Sequence, residues 1–169
     1  MFTALSACVL PIGPEFEDPP AVANFQPFVV SVDPDAETTQ QILAKPPKFK
    51  IQVSDPNPGD KLTVRWVANY PLYVQNATYL VGDSQEMALP PEPEGRVTFE
   101  SPELSCDKFP LSTEKTLVAI VSDDGFLPPD SPLITDKSHR YNYTKAIDPK
   151  TKLPIQSLVM VGWRITGCQ

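Results

Sequence analysis

The sequence predicts an all-β protein, an antiparallel sandwich, and three observations lead there. The chain carries 21 prolines against 7 glycines in 169 residues, a balance that breaks long helices and supplies stiff connections. Its apolar residues recur in short runs of alternating polarity, the period of a half-buried strand. Polar turn clusters such as Asp55-Pro56-Asn57-Pro58-Gly59-Asp60 separate the runs, at the spacing of a sandwich or barrel. The length suits one domain with its own core.

Taken in order, the first run is residues 26–32, where Pro27 predicts an edge strand because proline cannot donate to a central ladder. Residues 48–54 set Phe49, Ile51 and Val53 on one face. Residues 61–69 turn Leu62, Val64 and Trp66 one way and Lys61, Thr63 and Arg65 the other. The middle, 72–89, is irregular, with 78–81 as its one short strand candidate. Residues 96–100 alternate cleanly, and 116–122 form a nearly continuous apolar run suited to a central strand covered on both sides. The last run, 157–166, places Val159, Val161, Trp163 and Ile165 on one face and Arg164 on the other.

A tryptophan on the third strand, Trp66, after the turn Asp55-Pro56-Asn57-Pro58-Gly59-Asp60, resembles the immunoglobulin-like and cadherin-like sandwiches of bacterial surfaces. The resemblance covers residues 26–168 and implies an immunoglobulin-like antiparallel β-sandwich of about seven strands with a long loop before the last strand. In that order the last two runs are antiparallel neighbours, so the segment before Thr116 lies near the end that carries Cys168, within reach of Cys106.

At the N-terminus, Leu5-Ser6-Ala7-Cys8 resembles the bacterial lipobox, an apolar residue and two small ones before a lipidated cysteine. The resemblance implies residues 1–7 as the remainder of a signal segment lacking its basic region and most of its apolar stretch. It also implies lipidation at Cys8 and a Pro-rich acidic tether over 8–24, leaving 25–169 for the sandwich. The alternative is a chance cysteine in an extended tail. Val9 rather than aspartate after that cysteine implies, by the sorting rule of such lipoproteins, the outer membrane. With Cys8 lipidated, Cys106 and Cys168 remain, an even pair that an exported protein would join as a disulfide. On the chain-entropy model that bridge would contribute roughly 4 kcal/mol. Two buried free thiols are the alternative. No stretch approaches the roughly 18 consecutive apolar residues of a spanning helix, so membrane attachment is expected through lipid alone.

The formal charge is −7, which argues against nucleic acid or anionic headgroups as principal partner. Catalytic signatures are weak. There is no Gly-x-Ser-x-Gly elbow, and the single histidine, His139, has no recognisable nucleophile near it. Both remaining thiols are better used in a bridge. One histidine and no Cys-x-x-Cys disfavour zinc. A glycosidase-like carboxylate pair has little support in so small a chain. No cofactor is expected, with calcium the one cation to consider. Asp55, Asn57 and Asp60, together with Asp33, Asp35, Asp123 and Asp124, are oxygen ligands in turns, as hard cations require. Asx turns would use the same residues. Asn76-Ala77-Thr78 and Asn142-Tyr143-Thr144 match the glycosylation acceptor pattern, which the lipobox argues against using.

The segment 126–156, with five prolines, is the most unusual part of the chain, and long loops in compact domains are usually functional or disordered. Its basic, aromatic centre predicts a partner-binding surface at His139, Arg140, Tyr141 and Tyr143. Equally, the two tyrosines could pack the loop onto the sandwich. The expected function is a non-catalytic interaction or structural subunit of a cell-envelope assembly, bound to an envelope protein partner. The alternative is a surface module recognising a glycan or polymer, calcium-assisted. Exposed aromatics on a flat sheet face would favour that second reading.

Overall fold

The computed structural model describes residues 25–37, 40–41, 48–57, 59–70, 79–91, 95–104, 115–135, 140–148, 150–152 and 158–166. Within them the chain is all-β, with nine strands and no helix. The strands are β1 (Phe28–Asp33), β2 (Gln40–Gln41), β3 (Lys50–Ser54), β4 (Lys61–Ala68), β5 (Tyr79–Leu80), β6 (Gln85–Ala88), β7 (Arg96–Glu100), β8 (Lys115–Ser122) and β9 (Val159–Thr166). Seven have four residues or more, and the other two, β2 and β5, are two-residue pairings. β5 falls inside the short strand candidate of residues 78–81, whereas no period in the sequence marks β2.

One sheet has the order β1-β3-β7, all antiparallel. The larger has the order β2-β9-β8-β4-β5, with β6 also on β4, and only the β2–β9 pairing is parallel. The chain thus changes sheet between β1 and β2, between β2 and β3, between β3 and β4, between β6 and β7, and between β7 and β8. The two sheets make an antiparallel β-sandwich, its larger sheet extended at one edge by β5 and β6. β1 lies at an edge, with Pro27 just before it, as the missing donor of proline requires. β8 is central, and Leu117 to Ser122 are all buried.

The core between the sheets is built by alternation. Phe49, Ile51 and Val53 with Val97 and Phe99 face Leu62, Val64, Trp66, Leu117, Ala119, Val121, Trp163 and Ile165. At its centre the two indoles stack at 5.8 Å between ring centroids and 26° between planes, although β8 separates their strands. Ala119 is the β8 residue paired with Trp66, and its lone methyl lets the two large rings meet above the middle strand. Phe49 adds an edge-to-face contact on Trp163 at 5.3 Å. The Trp163 indole N–H donates to the Pro34 carbonyl at 2.7 Å, which satisfies the polar end of a fully buried ring.

Close approach also fixes Gly82. Its φ is +75°, and a Cβ there would sit 2.8 Å from the Pro102 side chain, so the turn from β5 to β6 needs a residue without one.

Beyond Lys61, the outer face of β4 is covered. Thr63 and Arg65 do point away from the core, yet they are 8% and 6% exposed, and Val67 on the same face is fully buried. A second apolar cluster, Val67, Tyr70, Val118, Ile120, Phe126 and Tyr141, covers this side of the larger sheet.

Enlarging Ala119 to leucine should separate the indoles. We expect a loss of about 1–3 kcal/mol in urea unfolding with a changed near-ultraviolet circular dichroism signal. An unchanged signal would show that the tryptophans do not depend on the small residue between them.

Candidate functional site

The segment after β8 folds back on itself and lies over the outer face of the larger sheet. Phe126 bridges Thr144 in antiparallel fashion, the Leu127 amide donates to the Tyr143 carbonyl at 2.9 Å, and the Lys145 amide donates to the Gly125 carbonyl at 3.2 Å. Between these arms, turns close from Ser131 to Pro128 and from Ile134 to Ser131. Prolines deprive the backbone of donors here, so the segment relies on side chains to hold it.

Arg65 supplies that hold. From the outer face of β4 its Nη2 donates to the Leu127 carbonyl at 2.7 Å and its Nη1 to the Tyr141 carbonyl at 3.2 Å, one bond to each arm. Its Nε donates to the Ser84 hydroxyl at 3.3 Å. The guanidinium lies 4.5 Å over the Phe126 ring, a cation–π contact strengthened by exclusion of water. Burial pulls the Arg65 pKa down to about 10, which still leaves it charged at neutral pH. Its planar fork is what allows one side chain to reach two carbonyls at once.

The residues expected to bind a partner fall in three situations. His139 lies outside the described residues. Tyr141 and Tyr143 are 5% and 8% exposed, so they anchor the segment instead of offering their rings to a partner. Tyr143 OH lies 3.4 Å from the Thr135 hydroxyl. Arg140 is half-buried, stacked 5.0 Å over the Tyr141 ring, with Nη2 donating to the Tyr141 hydroxyl at 3.0 Å. The neighbouring Asn142 amide donates to the Tyr70 hydroxyl. Apolar surface on the segment belongs to Leu133 and Ile147, 45% and 43% exposed. Nearby on the outer face, Tyr70, Val118, Met160 and Gly162 line a shallow groove of about 310 Å³.

Cys8, Cys106 and Cys168, proposed for lipidation and a disulfide, also lie outside the described residues.

The acidic turns meet at one end of the sandwich. One carboxylate oxygen from each of Asp55, Asp60 and Asp123 lies within 4.8 Å of the others. Asp55 follows β3, Asp60 precedes β4 and Asp123 follows β8. Asn57, expected beside Asp55 and Asp60, is engaged elsewhere. Its Oδ1 accepts from the Phe25 amide at 2.8 Å, while its own amide donates to Asp55 Oδ1 at 2.8 Å. Asp123, the turn acid after β8, completes the group of three carboxylates. Asp35 is not among them, and its Oδ1 accepts from the Glu37 amide. Burial, and then the charges of Asp123 and Asp60, push the Asp55 and Asp124 carboxyls above their ordinary value, against the Asn57 hydrogen bond that lowers Asp55.

Arg65 was legible only as an alternating outward residue, and no feature of its neighbours signals burial. Asp123 was visible as a turn acid, but its meeting with Asp55 is a product of the topology.

Replacing Arg65 by methionine leaves the Leu127 and Tyr141 carbonyls without their donor. We expect a cost of about 2–4 kcal/mol and a loss of amide-exchange protection concentrated in residues 125–145. Uniform loss of protection across the sandwich would instead mean that the segment is not separately clamped. For the carboxylates, a raised folded-state value means stability fully present below the ordinary 3.8 and lost as pH rises through the folded value. In chelator-treated protein, Asp55→Asn should therefore gain most in melting temperature over the parent at neutral pH, with the gap closing on acidification toward 3.8. A gap independent of pH would refute the electrostatic account.

Comparison with protein-family models, with curated proteins and with solved structures finds no match to this chain, so its own residues carry the functional argument.

Proposed function

We propose that this chain is a non-catalytic interaction subunit of a bacterial cell-envelope assembly, held at the membrane by lipid on Cys8, with the clamped segment facing a protein partner. The observation that carries the reading is the clamp itself. A buried arginine bonded to both arms of the segment holds it in one conformation on the sheet. Preorganised segments bind without the entropy cost of ordering at the moment of contact. On the segment, Leu133 and Ile147 remain as exposed apolar anchors.

The location follows from Leu5-Ser6-Ala7-Cys8, with the outer membrane favoured by Val9. A Cys106–Cys168 disulfide belongs to the same proposal. In its support, Lys115 pairs with Ile165, so the chain enters β8 and leaves β9 at the same end of the sheet. Recognition of a flat glycan surface is less favoured, because Trp66, Trp163, Tyr70, Tyr141 and Tyr143 are buried, and the exposed aromatics among the described residues, Phe25 and Phe28, carry no polar group to orient a sugar.

The test is purification of the full chain from its native membranes in mild detergent, followed by mass spectrometry. A defined set of envelope proteins should accompany it, and Leu133→Asp with Ile147→Asp should lower their recovery about tenfold or more without altering the circular dichroism spectrum. Cys8→Ser should move the chain from the membrane to the soluble fraction. A parent chain that elutes alone would defeat the subunit reading, and one already found free of membranes would defeat the anchor.

A further inference from the structure

We propose that Asp55, Asp60 and Asp123 bind a calcium ion that ties the two sheets together at one end of the sandwich. Asp55 leaves the three-stranded sheet, whereas Asp60 and Asp123 flank strands of the larger one. An ion touching all three joins the sheets where no backbone ladder does.

A gathering of turn acids is by itself common. What distinguishes this one is buried oxygen atoms without donors. Asp55 is 4% exposed, and while its Oδ1 accepts from Asn57, its Oδ2 is buried with no hydrogen-bond partner among the described residues. Both Asp123 carboxylate oxygens are in the same condition. Buried carboxylate oxygens are ordinarily satisfied by donors, paired charges or metals. The ion pairs of the described residues go instead to Glu86 and Glu100 on the strands. A cation placed among the three aspartates would satisfy the orphaned oxygens and offset their mutual repulsion together.

The donors select the ion. All are carboxylate oxygens, which suit hard cations and not zinc or copper. Oxygens within 4.8 Å of one another fit on one coordination sphere of calcium, since two bonds of about 2.4 Å span about 4.8 Å. Magnesium demands near-ideal octahedral geometry at about 2.1 Å and dehydrates reluctantly, which suits ligands from three separate turns less well. Three side chains supply part of the six to eight oxygens calcium takes, with water and backbone carbonyls for the rest. Such a site belongs among the weaker extracellular ones, with a dissociation constant on the order of 0.1–1 mM. The inference stands apart from the partner reading, because it concerns a different requirement, stability of the sandwich end.

The experiment is thermal unfolding and titration calorimetry of the full chain after chelation, with calcium chloride or magnesium chloride as the probe. Calcium at about ten times its dissociation constant should raise the melting temperature by about 4 °C, with a clearly smaller rise from magnesium. Asp123→Asn and, separately, Asp60→Asn should abolish the calcium response while unfolding cooperatively on their own. Asp130→Asn, at an exposed acid outside the cluster, should respond as the parent does. No shift in the parent at about 10 mM calcium, well above the expected constant, an undiminished response in folded Asp123→Asn and Asp60→Asn, or an equal response to magnesium would each overturn the assignment.

Discussion

A guanidinium set on the outer face of a sheet and then covered constrains everything laid over it. Arg65 takes part in hydrogen bonds to Ser84, Leu127 and Tyr141 and lies against Phe126. Its charge cannot be neutralised at physiological pH, so the covering chain must present oxygen atoms to it. Carbonyls meet that need without adding a second buried charge and its desolvation penalty. The proline-rich segment suits this role, because carbonyls in irregular backbone lack the ladder partners that strands provide. The apolar cluster of Val67, Val118, Ile120, Phe126 and Tyr141 then excludes water from the same contact, which strengthens each hydrogen bond within it. Sheet, arginine and segment form one unit, and the second core depends on all three.

Between the sheets, apolar burial suffices and the polar atoms are few. The Trp163 indole reaches the Pro34 carbonyl, and the main chain of Phe49 exchanges bonds with Ser101. The three exposed ion pairs of Lys48, Lys50 and Lys61 contribute little by comparison, as surface pairs do. Electrostatic tension is concentrated at one end, where strand-terminating aspartates from both sheets converge. The same residues that stop the strands in sequence therefore acquire a shared environment in space.

Strand positions with a period were legible in the sequence. Phe49, Ile51 and Val53 face the core as their alternation requires, and the continuous apolar run became the central β8. β5 lies within the short candidate at 78–81, but β2 was not legible, nor was β6, whose Glu86, Met87 and Ala88 are all exposed and show no alternation. The covering of the outer face of β4 was not legible, because Thr63 and Arg65 are polar, and polarity alone does not tell a wet face from one covered by carbonyl-rich chain. Tyr141 and Tyr143 were recognised as important to their segment, but residue type could not say which way the rings would turn. The acid cluster was half visible: Asp55 and Asp60 are close in sequence, whereas Asp123 joins them only through the crossing of chain between sheets.

The parallel pairing of β2 with β9 has a mechanical consequence. Gln40 and Gln41 run alongside Ile165 and Thr166 in the same direction. A load drawn between the start of β2 and the far end of β9 pulls the two strands lengthwise past each other. Their hydrogen bonds must then give way together, whereas strands drawn apart from one end release them one at a time.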